Sequence, residues 1–94
     1  MRVADVEYDR TPEQVLEWIR YLGNGKYIEV KYLPDGSIAV LTDLVFTRAI
    51  CLGVTESCSY TTRFCYRDRD KASLLFETLQ SEDDELEGYT ARRG

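Results

Sequence analysis

Apolar positions change period along this chain, from the 3.6-residue repeat of a helix to the two-residue repeat of strands and back again. Val15, Trp18, Ile19 and Leu22 fall at i, i+3, i+4 and i+7, which predicts one apolar stripe on a helix from Pro12 to Leu22. The start of that helix is over-determined. Thr11 is a suitable N-cap, Pro12 suits the first helical position, and Gln14 stands three residues after Thr11 to complete a capping box. Gly23 is placed to end the helix in the left-handed conformation. Upstream, Arg2 to Arg10 alternates loosely and reads as an edge strand or an ordered arm.

From Lys26 the repeat shortens to two. Ile28, Val30 and Tyr32 point one way, Glu29 and Lys31 the other, as expected of a half-buried strand. Leu33-Pro34-Asp35-Gly36 has the residues of a type I turn, so Ser37 to Thr42 should return as the second arm of a hairpin. Leu44 to Val54 is apolar and β-branched with Arg48 as its only charge, and reads as the central or longest strand. Tyr60 to Tyr66 gives a fourth strand with an aromatic-rich face. Asp68 then caps a second helix on which Ala72, Leu75, Phe76 and Leu79 repeat at helical spacing.

The order α-β-β-β-β-α with short turns predicts an α+β fold: an antiparallel four-stranded sheet with two helices on one face. Residues 1–94 form a single domain, because so short a chain cannot divide its apolar residues between two cores. Residues 82–94 are expected to be an acidic loop and C-terminal tail, since five acids beyond Gln80 would oppose the negative end of the second helix. Part of the other sheet face, or a sheet edge, is then left for water or a partner, and a homodimer could form there.

Composition changes the functional picture more than the fold. The chain has no His, which removes the usual base near neutral pH, the usual zinc ligand, and every Ser-His or Cys-His dyad. No catalytic residue, metal ligand set or cofactor is therefore assigned, and the chain is not read as an enzyme. Cys51, Cys58 and Cys65 are odd in number and spaced by seven, unlike a Cys-x-x-Cys motif; with no leader sequence they read as free thiols in a reducing cytosol. No unbroken apolar run exceeds the four residues of Ile38 to Leu41, far too few to cross a bilayer, so no membrane partner is expected.

The formal net charge of −5 has one source. Glu82, Asp83, Asp84, Glu85 and Glu87 occupy five of six consecutive positions, and without them twelve acids balance twelve bases. Five carboxylates in so short a run could engage a basic, nucleic-acid-binding groove on another protein, because complementary potential speeds encounter and sets register. The bland alternative is a solvated segment that aids solubility. Within 60–71, Tyr60, Arg63, Phe64, Tyr66, Arg67, Arg69 and Lys71 interleave aromatics with cations, the composition of an accessory nucleic-acid-binding module, although the glycines of an RRM strand are missing.

Phe46-Thr47-Arg48-Ala49-Ile50-Cys51-Leu52-Gly53-Val54, followed by Tyr60-Thr61-Thr62-Arg63-Phe64-Cys65-Tyr66, an Ala/Leu helix and Gly88-Tyr89, resembles a group of small uncharacterised proteins encoded by bacteriophages and prophages. The resemblance covers roughly the C-terminal half and departs at Glu77 to Gln80 and the acidic run, where that group carries an aromatic-Asp-Gly turn. It implies a mobile-element origin and a life in the host bacterial cytosol, and supplies no activity. The resulting expectation is an accessory protein that binds and inhibits a host macromolecule by surface complementarity, with an anti-CRISPR or other anti-defence role as its sharp form. The contacts expected are Glu82, Asp83, Asp84, Glu85 and Glu87, together with Arg63, Tyr66 and Arg67 on the open sheet face.

Overall fold

The computed structural model describes residues 11–94, so the expectation for Arg2 to Arg10 lies outside the described residues. Helix α1 spans Pro12–Leu22, strands β1 to β4 span Tyr27–Tyr32, Ile38–Asp43, Arg48–Leu52 and Thr62–Tyr66, helix α2 spans Arg69–Glu77, and β5 spans Ala91–Arg93. The strands form one antiparallel sheet in the order β1-β2-β3-β4-β5. The α+β class is as expected, but the sheet has five strands among the described residues, not four, and Ala91–Arg93 form a strand instead of a tail.

The start of each helix follows from its cap. Thr11 Oγ1 accepts from Gln14 N at 3.2 Å while Gln14 Oε1 accepts from Thr11 N at 3.0 Å, the reciprocal pair of a capping box. Asp68 caps α2, accepting from Lys71 N at 3.1 Å. The end of α1 differs from expectation. Gly23 is right-handed at φ −69, and the positive φ values fall on Asn24 and Gly25. Gly23 is required for a different reason, because a Cβ there would stand 2.5 Å from the Tyr27 ring.

The two helices lie on opposite faces of the sheet. Leu33, Ala39, Leu41, Ile50, Leu52, Phe64 and Tyr66 pack with Ala72, Phe76 and Leu79 on the α2 side. Val30, Ile38, Val40, Cys51 and Val54 pack with Ile19 on the α1 side, with Val15 and Leu16 beside them. The expected arrangement of both helices on one face is thus corrected, and the reason is visible in β2. Ile38 through Thr42 are all buried, and a strand covered on both faces reads as a continuous apolar run instead of an alternation.

Two smaller corrections concern packing. Helix α1 meets the sheet through Val15, Leu16 and Ile19, a stripe rotated from the one predicted, which leaves Trp18 and Leu22 partly exposed with Trp18 stacked on Tyr21 at 5.6 Å. The stretch Leu44 to Val54 is not one long strand. Leu44 N donates to Thr47 O at 2.8 Å to form a tight turn, and the Asp43 carboxylate accepts from Arg48 Nε at 2.7 Å and Nη2 at 3.2 Å, closing the β2–β3 hairpin behind it. At the far end Gly53 takes φ +66, with Thr61 so close that a Cβ would collide with its side chain.

Candidate functional site: the acidic crossover loop

After α2 the chain must cross back to the outer edge of β4, and residues 78–90 make that crossing. The start of the crossing is braced by Lys31, which reaches from β1 to donate to Phe76 O at 2.8 Å and sits 4.4 Å from the Phe76 ring centroid. A cation at a helix C-terminus offsets the negative end of the helix dipole. Lys31 therefore supplies from a distant strand the positive charge that the last turn of α2 lacks.

The acidic run is loop, as expected, yet it is held at several points along its length. Gln80 N donates to Asp84 Oδ2 at 2.8 Å, and Asp83 N donates to Ser81 Oγ at 2.8 Å. Glu82 N donates to Asp35 Oδ2 at 3.0 Å, which ties the loop to the β1–β2 turn. Leu86 packs against the α2-side core, and Tyr66 Oη donates to Glu87 O at 3.0 Å. Glu85 faces Arg92 of β5 at 3.7 Å. Asp83, Glu85 and Glu87 are exposed, with Glu85 facing Arg92, while the half-buried Glu82 carries its carboxyl beside Gly53 and Asp84 is occupied in holding the backbone.

Asp35 is a further exposed acid beside the loop, its carboxylate occupied like that of Asp84, and nothing in its sequence neighbourhood reveals that placement. Its place in the chain marks it only as a turn former, whereas the fold brings it against Glu82, 47 residues away. Hydrogen bonds from Ser37, with a further one from Glu82 N, hold its carboxyl below the ordinary 3.8, at about 2. A depressed carboxyl favours the fold above its unfolded value and loses that contribution as pH falls. Acidification from about pH 4 to pH 2 is therefore expected to release the loop from the turn. The protection factor of the Glu82 amide, its exchange rate set against the intrinsic rate at each pH, should fall over that window in the wild-type protein and be low already at neutral pH in Asp35→Ala. An amide equally protected in both would contradict the tie.

The remaining predicted contacts do not share a surface. Tyr66 is 1% exposed and belongs to the α2-side core, so its placement among the contacts is corrected: alternation along β4 turns Phe64 and Tyr66 inward under α2. Arg63 points to the opposite face, 5.5 Å from the Tyr60 ring centroid, and Arg67 lies beyond the end of β4, exposed, with its backbone N donating to Thr90 Oγ1 at 3.1 Å. The aromatic and basic residues of 60–71 thus form no single stacking platform, since Phe64 is fully buried beneath Arg92 and Tyr89. The hairpin tip is a further surface without a signal in the sequence, for Val45 and Phe46 sit in an apolar run yet are each 81% exposed.

The three cysteines are free thiols, with Cys51 and Cys65 buried. Burial pushes the Cys51 thiol from an ordinary 9.0 up to about 11, against the opposing pull of Arg63. A thiol so protonated is a poor nucleophile near neutrality. Alkylation of the native protein is expected to modify the half-exposed Cys58 first and Cys51 much more slowly, because burial both denies the reagent access and suppresses the Cys51 thiolate. Denaturation without reductant should then release all three thiols. A protected pair found by mass would overturn this reading.

Among the described residues no helix is long and apolar enough to cross a membrane, and no three His, Cys, Asp or Glu side chains are gathered as a metal site. Comparison with family models, with curated proteins and with solved structures finds no match to this chain.

Proposed function

We propose that this chain is a binding protein of mobile-element origin that occupies a basic, normally nucleic-acid-holding site on a host protein and thereby inhibits it, an anti-defence or anti-CRISPR-like role in the bacterial cytosol. The observation that carries the reading is the fixed acidic loop: the exposed Asp83, Glu85 and Glu87, with half-buried Glu82 and Asp35 beside them, stand on a backbone anchored through Asp84, Leu86 and Glu87 O. A solvated tail placed for solubility has no need of such anchoring. A loop already ordered loses little conformational freedom on binding.

The mechanism is occupancy. Long-range attraction between the loop and a cluster of Lys and Arg accelerates encounter, and the fixed loop then sets the register of the complex. The partner's nucleic acid is displaced because both ligands need the same cations. Affinity purification from a bacterial lysate, with and without nuclease, tests this directly. Retention of one protein after nuclease, and its release by added nucleic acid, is the expected result. Loss of all bound protein on nuclease treatment would instead mean that the chain holds nucleic acid itself.

A further inference from the structure

Strand β1 is an edge of the sheet, and among the described residues no strand pairs with its outer side. The hydrogen-bond parity of the hairpin shows which of its groups face outward. Leu33 N donates to Ser37 O at 2.8 Å, and Val54 N donates to Ile38 O at 3.0 Å, so in the β1–β2 ladder Lys31 and Glu29 bond inward to β2. Val30 and Tyr32 therefore direct their N–H and C=O groups away from the sheet. Ile28 and Tyr32, 48% and 37% exposed, add apolar side chains to that edge. The one described contact to these outward groups is Arg20 Nη2, which donates to Val30 O at 3.2 Å and leaves that oxygen a second lone pair.

We propose that two copies of this chain pair antiparallel through β1, with Val30 on the twofold axis, to make one continuous ten-stranded sheet. The sequence Ile28-Glu29-Val30-Lys31-Tyr32 is self-complementary about its centre. In this register Glu29 stands opposite the partner's Lys31, a pair that occurs twice by symmetry and in which the Lys31 ammonium keeps its bond to Phe76 O; Ile28 lies at the register shift between Tyr27 and Glu29, so the ladder is counted from Glu29 to Lys31. Glu29 and Lys31 occupy the non-hydrogen-bonded positions, where facing side chains approach closest. The neighbouring registers are disfavoured by charge. A shift of two residues in one direction places Glu29 opposite the partner's Glu29, and in the other direction places Lys31 opposite the partner's Lys31. Opposite charges facing across a ladder stabilise it and like charges oppose it, so one register is selected over its neighbours. The occupant is a second copy because the charge pattern that selects the register is the strand's own.

The pairing uses the outward backbone of β1 and the Glu29 side chain and none of the carboxylates of 82–87, so the dimer and the proposed inhibitory role are tested by different variants. Sedimentation of the wild-type chain from micromolar to millimolar concentration should show a monomer–dimer equilibrium. Glu29 is exposed, so its variants keep the fold, and thermal melts verify this. Glu29→Gln should weaken dimerisation, and Glu29→Lys should weaken it by about tenfold or more, since two attractive pairs become two repulsive ones. Hydrogen exchange gives a second readout: the outward amides of Val30 and Tyr32 should slow as concentration rises, whereas the inward amides of Glu29 and Lys31 should not change. A monomer over the whole range, a dimer indifferent to Glu29→Lys, or β1 amides protected only by a different protein would each overturn the proposal.

Discussion

Phe76→Ala is expected to cost about 3–5 kcal/mol of folding stability, the range for truncating a fully buried aromatic ring. Phe76 is 0% exposed at the centre of the α2-side core, among residues from β2, β3 and β4. Its ring is also the surface on which the Lys31 ammonium rests, and its carbonyl accepts from that ammonium. The substitution therefore leaves a cavity and loosens the strap between β1 and α2. A loss of this size is a large share of a small domain's stability. Denaturant melts give the value directly. Leu79→Ala, in the same cluster at the start of the crossover, should cost about 2–5 kcal/mol; losses below about 1 kcal/mol for both would mean that α2 does not pack on the sheet.

Replacing Glu82, Asp83, Asp84, Glu85 and Glu87 by Gln or Asn should leave the melting midpoint nearly unchanged while slowing association with the host partner by on the order of tenfold at low salt. The structural hydrogen bonds survive this change. In Asp84→Asn the side-chain amide oxygen still offers an acceptor to Gln80 N, and the Glu82 and Glu87 anchors are backbone groups. Lost binding would then report lost charge and not a lost loop. The salt dependence of association should flatten in the neutralised protein, because screening has less to act on. Rates measured at two salt concentrations decide the matter, and equal rates with equal slopes would reduce the loop to a solvated crossover. The surface to test next would then be the exposed hairpin tip at Val45 and Phe46.

Local chemistry is well announced in this sequence. Both helix starts, the turn after Leu33 and the non-helical acidic run depend on residues within a few positions of one another, and each stands where the pattern places it. Long-range placement is not. Strand β5, Ala91-Arg92-Arg93, has no apolar alternation, because it joins the sheet through backbone bonds to β4 and leaves its side chains exposed. Alternation in β1 belongs to an edge strand and does not describe the whole sheet. The second buried face of β2 and β3, and with it the opposite placement of the helices, shows only as runs without alternation. For the site, the carboxylates of 82–87 can be found by counting. The part played by Asp35 cannot, since it depends on the hairpin bringing its turn against the loop.

Strands β1 to β4 pair only with their neighbours in sequence, across short connections, so most of the sheet forms by closing short loops. Such local closures are fast, and distant ones slow. The β4–β5 ladder differs. It closes residues 67–90, helix α2 and the acidic loop included, through three residue pairs. That ladder is expected to form last and to open first, at a free energy well below that of global unfolding. The loop proposed to meet a partner thus lies behind the weakest ladder of the sheet, and a bound partner would be expected to raise the resistance of that ladder to proteolysis before it raised that of the meander.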